Sequence, residues 1–257
     1  MRYDGIMKQS EKSRKAPYIQ NISLATPPHT GECFPFDIPA FKNGFDIQIT
    51  ERVTIFVGEN GSGKSTLLEA LAHECGFSLT GGNRNHILGD TEQRSALSGA
   101  IRIAWLPKIG SGFFFRAESF FNFSSFIDSL AKEDSSVLAY YGDKSLHAQS
   151  HGESFLALFN HHFGRPGIYL LDEPEAALSP ARQLALLRII HDMDATGKAQ
   201  FIIATHSPIL LSYPGAQLYS FSDKGIVKTA YRDTEHYLLT KAFLENPERY
   251  YRNLFAD

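Results

Sequence analysis

The chain has 257 residues, 43% of them hydrophobic and 12% aromatic, which is enough for one large domain with a substantial core. A net charge of −3 gives no global basic footprint, so charge alone calls for neither nucleic acid nor an anionic membrane surface, although a local basic patch stays open. The longest apolar runs are too short to span a bilayer, and the polar start (Lys8, Glu11, Lys12, Arg14, Lys15) lacks the apolar stretch of a secretory signal, so membrane insertion is not expected.

Residues 1–16 read as a flexible tail. A strand is expected over 18–25, a Pro-, Gly- and Phe-rich connection over 26–44, and strands over 45–50 and 52–57. Next comes Gly58-Glu59-Asn60-Gly61-Ser62-Gly63-Lys64-Ser65-Thr66, followed by a helix over 67–72. This is the pattern G-x-x-x-x-G-K-[ST] between an apolar strand and a helix. Its glycines let successive N–H groups turn inward around phosphate oxygens, Lys64 can reach the terminal phosphates, Ser65 offers a hydroxyl to Mg²⁺, and the helix directs its positive end at the anion.

Further along, 81–99 reads as a polar, Gly-rich loop, 100–106 and 112–115 as strands, and 119–132 and 152–163 as helices. Residues 167–171 form an apolar strand ending in Asp172 and Glu173, one carboxylate for Mg²⁺ and the other for a water in line with the last phosphate. Ser179 as N-cap and Pro180 at the first position open a helix over 180–195. A second buried strand, 200–204, leads to His206, placed to donate to a phosphate oxygen. Strands over 217–221 and 226–230 and a helical end from Thr234 complete a mostly parallel α/β sheet flanked by helices. The isolated Cys33 and Cys75 read as free buried thiols of a reducing, cytoplasmic setting. His147, His151, His161 and His162 lack supporting cysteines or acids and read as capping or solvated side chains, not metal ligands.

One more motif, Gln149-Ser150-His151-Gly152-Glu153, precedes a helix, where a hydroxyl and free N–H groups suit an anion. The order of phosphate loop, Ser-x-Gly-Glu, Asp-Glu-Pro and strand-His resembles the ABC-type ATPase head over roughly residues 17–222. The resemblance implies an ABC head with an N-terminal antiparallel β subdomain and a small helical subdomain near 117–163 carrying the signature, all within one domain over 17–257. It implies ATP and Mg²⁺ as ligands, held by residues 58–66 with Ser65 and Asp172 at the metal and Thr66 at the α-phosphate. Lys64, Glu173 as catalytic base and His206 as switch histidine would act in hydrolysis. It also implies a homodimer that closes around two ATP molecules, with Ser150 and Gly152 acting in trans.

Departures from the transporter pattern narrow the resemblance. The signature is not Leu-Ser-Gly-Gly-Gln, and Ser179 stands where transporter subunits carry Asp. Asp172-Glu173-Pro174-Glu175 with Pro180 is similar to soluble relatives of SMC, RecF and overcoming-lysogenisation proteins, and Gly112–Phe121 resembles short stand-alone ATPases of bacteria. These imply a cytosolic ATPase energising or gating a separate effector in DNA repair or phage defence. The alternatives are a transporter's ATP-binding subunit and a slow ATP-gated clamp. No glutamine falls where the family's metal-side loop belongs; Arg116 or Glu118 can take its place. Tyr18, Phe36 and Phe41 are the aromatics considered for stacking on adenine. Phe113, Phe114, Phe115, Phe120, Phe121, Phe123 and Phe126 read as core-filling rings before a partner-docking surface.

Overall fold

The computed structural model describes residues 15–25, 33–79, 96–119, 125, 127–131, 159 and 165–255. Among the described residues nine strands form two sheets. Strands β1 (Ile19–Leu24), β2 (Phe45–Gln48) and β4 (Arg102–Trp105) make an antiparallel sheet in the order β2-β1-β4. Strands β3 (Val53–Val57), β5 (Gly112–Arg116), β6 (Gly167–Asp172), β7 (Ala199–Ala204), β8 (Gln217–Ser222) and β9 (Gly225–Thr229) make the second, in the order β5-β6-β7-β3-β8-β9. All its neighbours run parallel except the terminal β8–β9 hairpin.

The central strands are apolar throughout because both faces of the sheet are covered. On one face Phe56, Phe114, Leu170 and Ile202 pack with Leu67, Leu68 and Leu71 of helix α1 (Lys64–Cys75) and with Ile22 and Ile47 of the antiparallel sheet. On the other, Ile55, Phe113, Phe115, Leu171 and Ile203 pack with Leu186 and Ile190 of helix α2 (Pro180–Ala195). Phe113, Phe114 and Phe115 are therefore core rings, whereas Phe120, Phe121, Phe123 and Phe126 lie outside the described residues. Ile127 and Phe159, helical fragments of the expected helical subdomain, pack on this second face.

Several expectations shift. Helix α1 runs to Cys75 and stops where Gly76 takes the left-handed conformation (φ 74°) and donates to Ala72 and His73 carbonyls. Residues 96–99, read as loop, belong to the short helix Ala96–Ala100, held by the fully buried Leu97. Ala16, read as the end of the tail, is buried and donates to the Gly197 carbonyl; residues 1–14 lie outside the described set. Cys33 is exposed, contrary to its reading as a buried thiol, while Cys75 is buried.

Two buried glutamines join the sheets. Gln200 Oε1 accepts from the Tyr18 and Ile19 amides at 2.8 Å each, and its Nε2 donates to the Ile19 carbonyl at 2.8 Å. Gln217 accepts from the Thr50 amide and donates to the Gln48 carbonyl. Gln200→Leu would remove the side-chain hydrogen bonds to three backbone groups at the start of the first strand, the Tyr18 amide and the Ile19 amide and carbonyl. We expect urea unfolding to show a loss of about 3 kcal/mol, each orphaned group costing roughly 1–3 kcal/mol; a change below about 0.5 kcal/mol would mean that the sheets are held by packing alone.

Candidate functional site

The site begins where β3 ends. Gly58 lies at φ 154° and Gly63 at φ 100°. A Cβ on Gly58 would collide with the Phe221 carbonyl, and one on Gly63 would lie 2.8 Å from the Phe41 ring, so only glycine lets the loop curl this tightly. Gly63 caps α1 and accepts from the Leu67 amide. The amides of Lys64, Ser65 and Thr66 thus begin the helix without an intrahelical acceptor, pointing into the loop. The Ser62 hydroxyl is buried without a hydrogen-bond partner.

Lys64 is 3% exposed. Its Nζ donates to the carbonyls of Gly58 (2.8 Å) and Glu59 (2.9 Å). Burial lowers its pKa, against the opposing pull of Glu173, Asp172, Glu175 and Glu59. An ammonium held on two loop carbonyls needs little movement to donate to a phosphate oxygen. The orphaned Ser62 hydroxyl, the three helix amides and a cradle that a Cβ would fill all fit a polyphosphate.

Parallel pairing brings two more strand ends to this loop. Asp172, the last residue of β6, accepts from the Ser65 hydroxyl at 2.9 Å. Burial pushes its carboxyl up to about 6, opposed by the Ser65 hydrogen bond and by Arg116. Arg116, at the end of β5, places Nε 3.7 Å from Asp172 and pairs with Glu69 and Glu118 at 2.6 Å each. Both residues considered for the metal-side loop therefore stand together, with Arg116 beside Asp172. The Ser65 and Asp172 oxygens suit a hard cation such as Mg²⁺. Among the described residues no group of three or more His, Cys, Asp or Glu could hold a metal, so such a cation would complete its shell with phosphate oxygens and water, as Mg²⁺ usually does.

Glu173 is the one described non-glycine residue with positive φ (49°). This conformation costs about 1 kcal/mol and turns the side chain off the line of the strand, leaving it 43% exposed beside the loop. His206, just past β7, puts Nε2 3.6 Å from Glu173 Oε1. Two residues that the sequence reading passed over hold that histidine. Glu175 Oε1 accepts from the His206 amide at 2.6 Å, and His236 Nε2 lies 3.0 Å from His206 Nδ1. Glu175 was visible in the Asp-Glu-Pro-Glu run. His236, in the first turn of helix α3 (Glu235–Glu245), carried no sequence signal.

A cavity of about 420 Å³ opens over the loop, lined by Phe34, Asp37, Gly61, Lys64, Thr66 and Glu173 among others. The three aromatics considered for stacking are not free to line it: Tyr18, Phe36 and Phe41 are 1%, 8% and 0% exposed, because they fill the core beneath the antiparallel sheet. Phe34, 69% exposed at the cavity rim, is the available ring. Ser150 and Gly152 lie outside the described residues, as do His147, His151, His161 and His162.

Two family models match the chain: "AAA domain, putative AbiEii toxin, Type IV TA system" over residues 149–212 and "AAA domain" over residues 36–104. The sequence is 32% identical over 166 residues to the hemin import ATP-binding protein HmuV of Pseudomonas aeruginosa, a match covering 57% of this chain and 64% of that protein's length. These matches make the chain similar to ABC-type P-loop ATPases. Similar solved structures include an SmcHead bound to the C-winged helix domain of ScpA (TM-score 0.49, 15% identity, 83% of this chain and 98% of that one). Another is cbiO1 from Clostridium perfringens, part of the ABC transporter complex cbiONQ (TM-score 0.49, 19% identity, 90% and 96%).

The raised carboxyl pKa of Asp172 predicts a pH signature for the chain without ligands. Between the ordinary value of 3.8 and about 6 the folded protein binds more protons at this position than the unfolded chain, so this carboxyl's contribution to stability falls as pH rises through that window. In chelator and without nucleotide, Asp172→Asn should raise stability at pH 7 by on the order of 2 kcal/mol, with the gain shrinking towards pH 4.5. Urea titrations at the two pH values check this, and a difference independent of pH would contradict it.

Proposed function

We propose that the chain binds Mg·ATP and hydrolyses it by in-line attack of water, using residues 58–66, Asp172, Glu173 and His206. The observation that carries this reading is the convergence of three strand ends: Lys64 after β3, the Asp172–Glu173 pair after β6 and His206 after β7, with Glu173 and His206 3.6 Å apart. Gly58, Glu59, Asn60, Gly61, Ser62 and Gly63 cradle the phosphates, Lys64 donates to the terminal ones, and Thr66 faces the α-phosphate. Ser65 and Asp172 hold Mg²⁺. The metal, when bound, supplies positive charge against the phosphate oxygens. Glu173 orients the water and accepts its proton, while His206 donates to the γ-phosphate. Phe34 is the ring proposed to stack on the base.

Hydrolysis is proposed to work through a closed homodimer of one-domain subunits (17–257), with Ser150 and Gly152 of the helical subdomain (117–163) acting across the interface. The order of the motifs supports this, as does the left-handed Glu173, which aims a carboxylate out of the fold. The output is proposed to reach a separate effector from a cytosolic location. The Asp-Glu-Pro-Glu form and a family model whose description names a Type IV TA toxin favour a role in phage defence or DNA repair. The similarity to HmuV favours a second reading, the ATP-binding subunit of a membrane transporter, against which Ser179 counts. Among the described residues no helix is long and apolar enough to cross a membrane, so that reading requires a membrane partner that co-purifies.

The purified chain should release phosphate from Mg·ATP, and Lys64→Ala should lower the rate by roughly 10²–10³-fold, the cost of removing one donor to the developing charge. Phosphate release that survives Lys64→Ala would place the reaction elsewhere.

A further inference from the structure

We propose that His236 is a positioning residue that sets the tautomer of His206, holding its proton on the nitrogen that faces the γ-phosphate. The inference rests on the ATPase reading above and adds a residue from the C-terminal helix to its site.

The geometry leaves two choices. A neutral imidazole carries one N–H, so the 3.0 Å contact between His206 Nδ1 and His236 Nε2 holds one proton. If His206 donates it, the opposite nitrogen of His206 presents a lone pair to Glu173 Oε1, 3.6 Å away. Two acceptors would then face each other, and His206 Nε2 is buried without a hydrogen-bond partner of its own. If His236 donates instead, His206 carries its proton on Nε2. The proton then faces the Glu173 carboxylate and can turn to a phosphate oxygen that reaches this side of the ring. The second arrangement avoids the facing lone pairs and gives His206 the donor that the reaction requires.

The ring stays neutral, which makes the choice between tautomers real. Burial lowers the His206 pKa most, Lys64 and His236 lower it further, and Glu173 and Glu59 oppose them. The backbone of His206 is fixed separately, since its amide donates to Glu175, whose pKa is itself raised by burial. The ring is what His236 orients.

The far partner is also fixed. Thr234 is buried and caps α3, accepting from the Tyr237 amide at 3.3 Å, and Tyr237 packs on Tyr231 with ring centroids 4.7 Å apart. None of the eleven residues of α3 is buried, and its first turn brings the His236 ring against His206.

The test uses the full chain with ¹⁵N-labelled histidine rings and no nucleotide. Long-range ¹H–¹⁵N spectra should show His206, assigned through His206→Gln, protonated on Nε2 and bare on Nδ1. In His236→Phe the two tautomers should average, and turnover of Mg·ATP should fall roughly 10–100-fold, as when the partner orienting a functional histidine is removed, with KM within about twofold. His236→Gln keeps an N–H donor and should restore both the ring signature and most of the turnover. His236→Glu, which only accepts, should move the proton to Nδ1 and lower turnover at least as far as Phe does. Protonated Nδ1 in the unsubstituted protein, or an unchanged His206 signature in His236→Phe, overturns the assignment while leaving the ATPase reading standing. The expected ring signature without any phosphate release from the unsubstituted protein overturns the ATPase reading instead.

Discussion

Strands β6, β7 and β3 pair in parallel without a register slip, and the level at which they end places the phosphate loop, Asp172, Glu173 and His206. Asp172 lies opposite Ala204, and Ala204 lies opposite Phe56. The acid pair, the histidine turn and the phosphate loop therefore leave the sheet at one edge, the carboxyl ends of the strands, where open α/β sheets hold their ligands. Packing on both faces, by α1 and the antiparallel sheet on one side and α2 on the other, keeps that edge rigid.

Rigidity at this edge is used to hold charges that the fold would otherwise expel. Lys64 and Asp172 are each 3% exposed, and burial shifts both towards their neutral forms. Without ligands the fold compensates locally: Lys64 rests on two carbonyls, Asp172 takes the Ser65 hydroxyl and Arg116 shares itself among three carboxylates. On the proposed reading these contacts stand in for stronger ones. Polyphosphate satisfies a buried ammonium better than carbonyls do, and a divalent cation satisfies Asp172 better than a hydroxyl. Glu173 adds backbone strain to the same place, as functional residues often do. On that reading, binding energy comes from a site whose groups are held in place but incompletely satisfied.

Contiguity decided what could be read from the amino-acid sequence. The phosphate loop is nine adjacent residues between a strand and a helix, and Asp172 with Glu173 closes an apolar run, so both declared themselves by spacing. The two-sided burial of β3, β6 and β7 was equally legible in their unbroken apolar runs. Long-range placement was not. An aromatic in a Pro-rich connection has no mark that separates core from rim, so Tyr18, Phe36 and Phe41 were considered as stacking rings while the exposed one is Phe34. Cys33 was misread for the same reason. Strand β4 gives no sequence sign that it leaves the main sheet to pair with β1, and the roles of Gln200 and Gln217 appear only when the two sheets meet. His236 reaches His206 across 30 residues of chain through a hairpin and a turn, a contact that only the folded topology creates.

The central claim is that ATP completes a site shared by two copies. It is tested most directly by the solution mass of Glu173→Gln, which keeps the size of the side chain while removing its capacity as a base. Measured by light scattering with and without Mg·ATP, this variant should pass from monomer to dimer when nucleotide is added. A mass that does not change with Mg·ATP, under conditions where nucleotide binding is independently detected, would contradict the shared site.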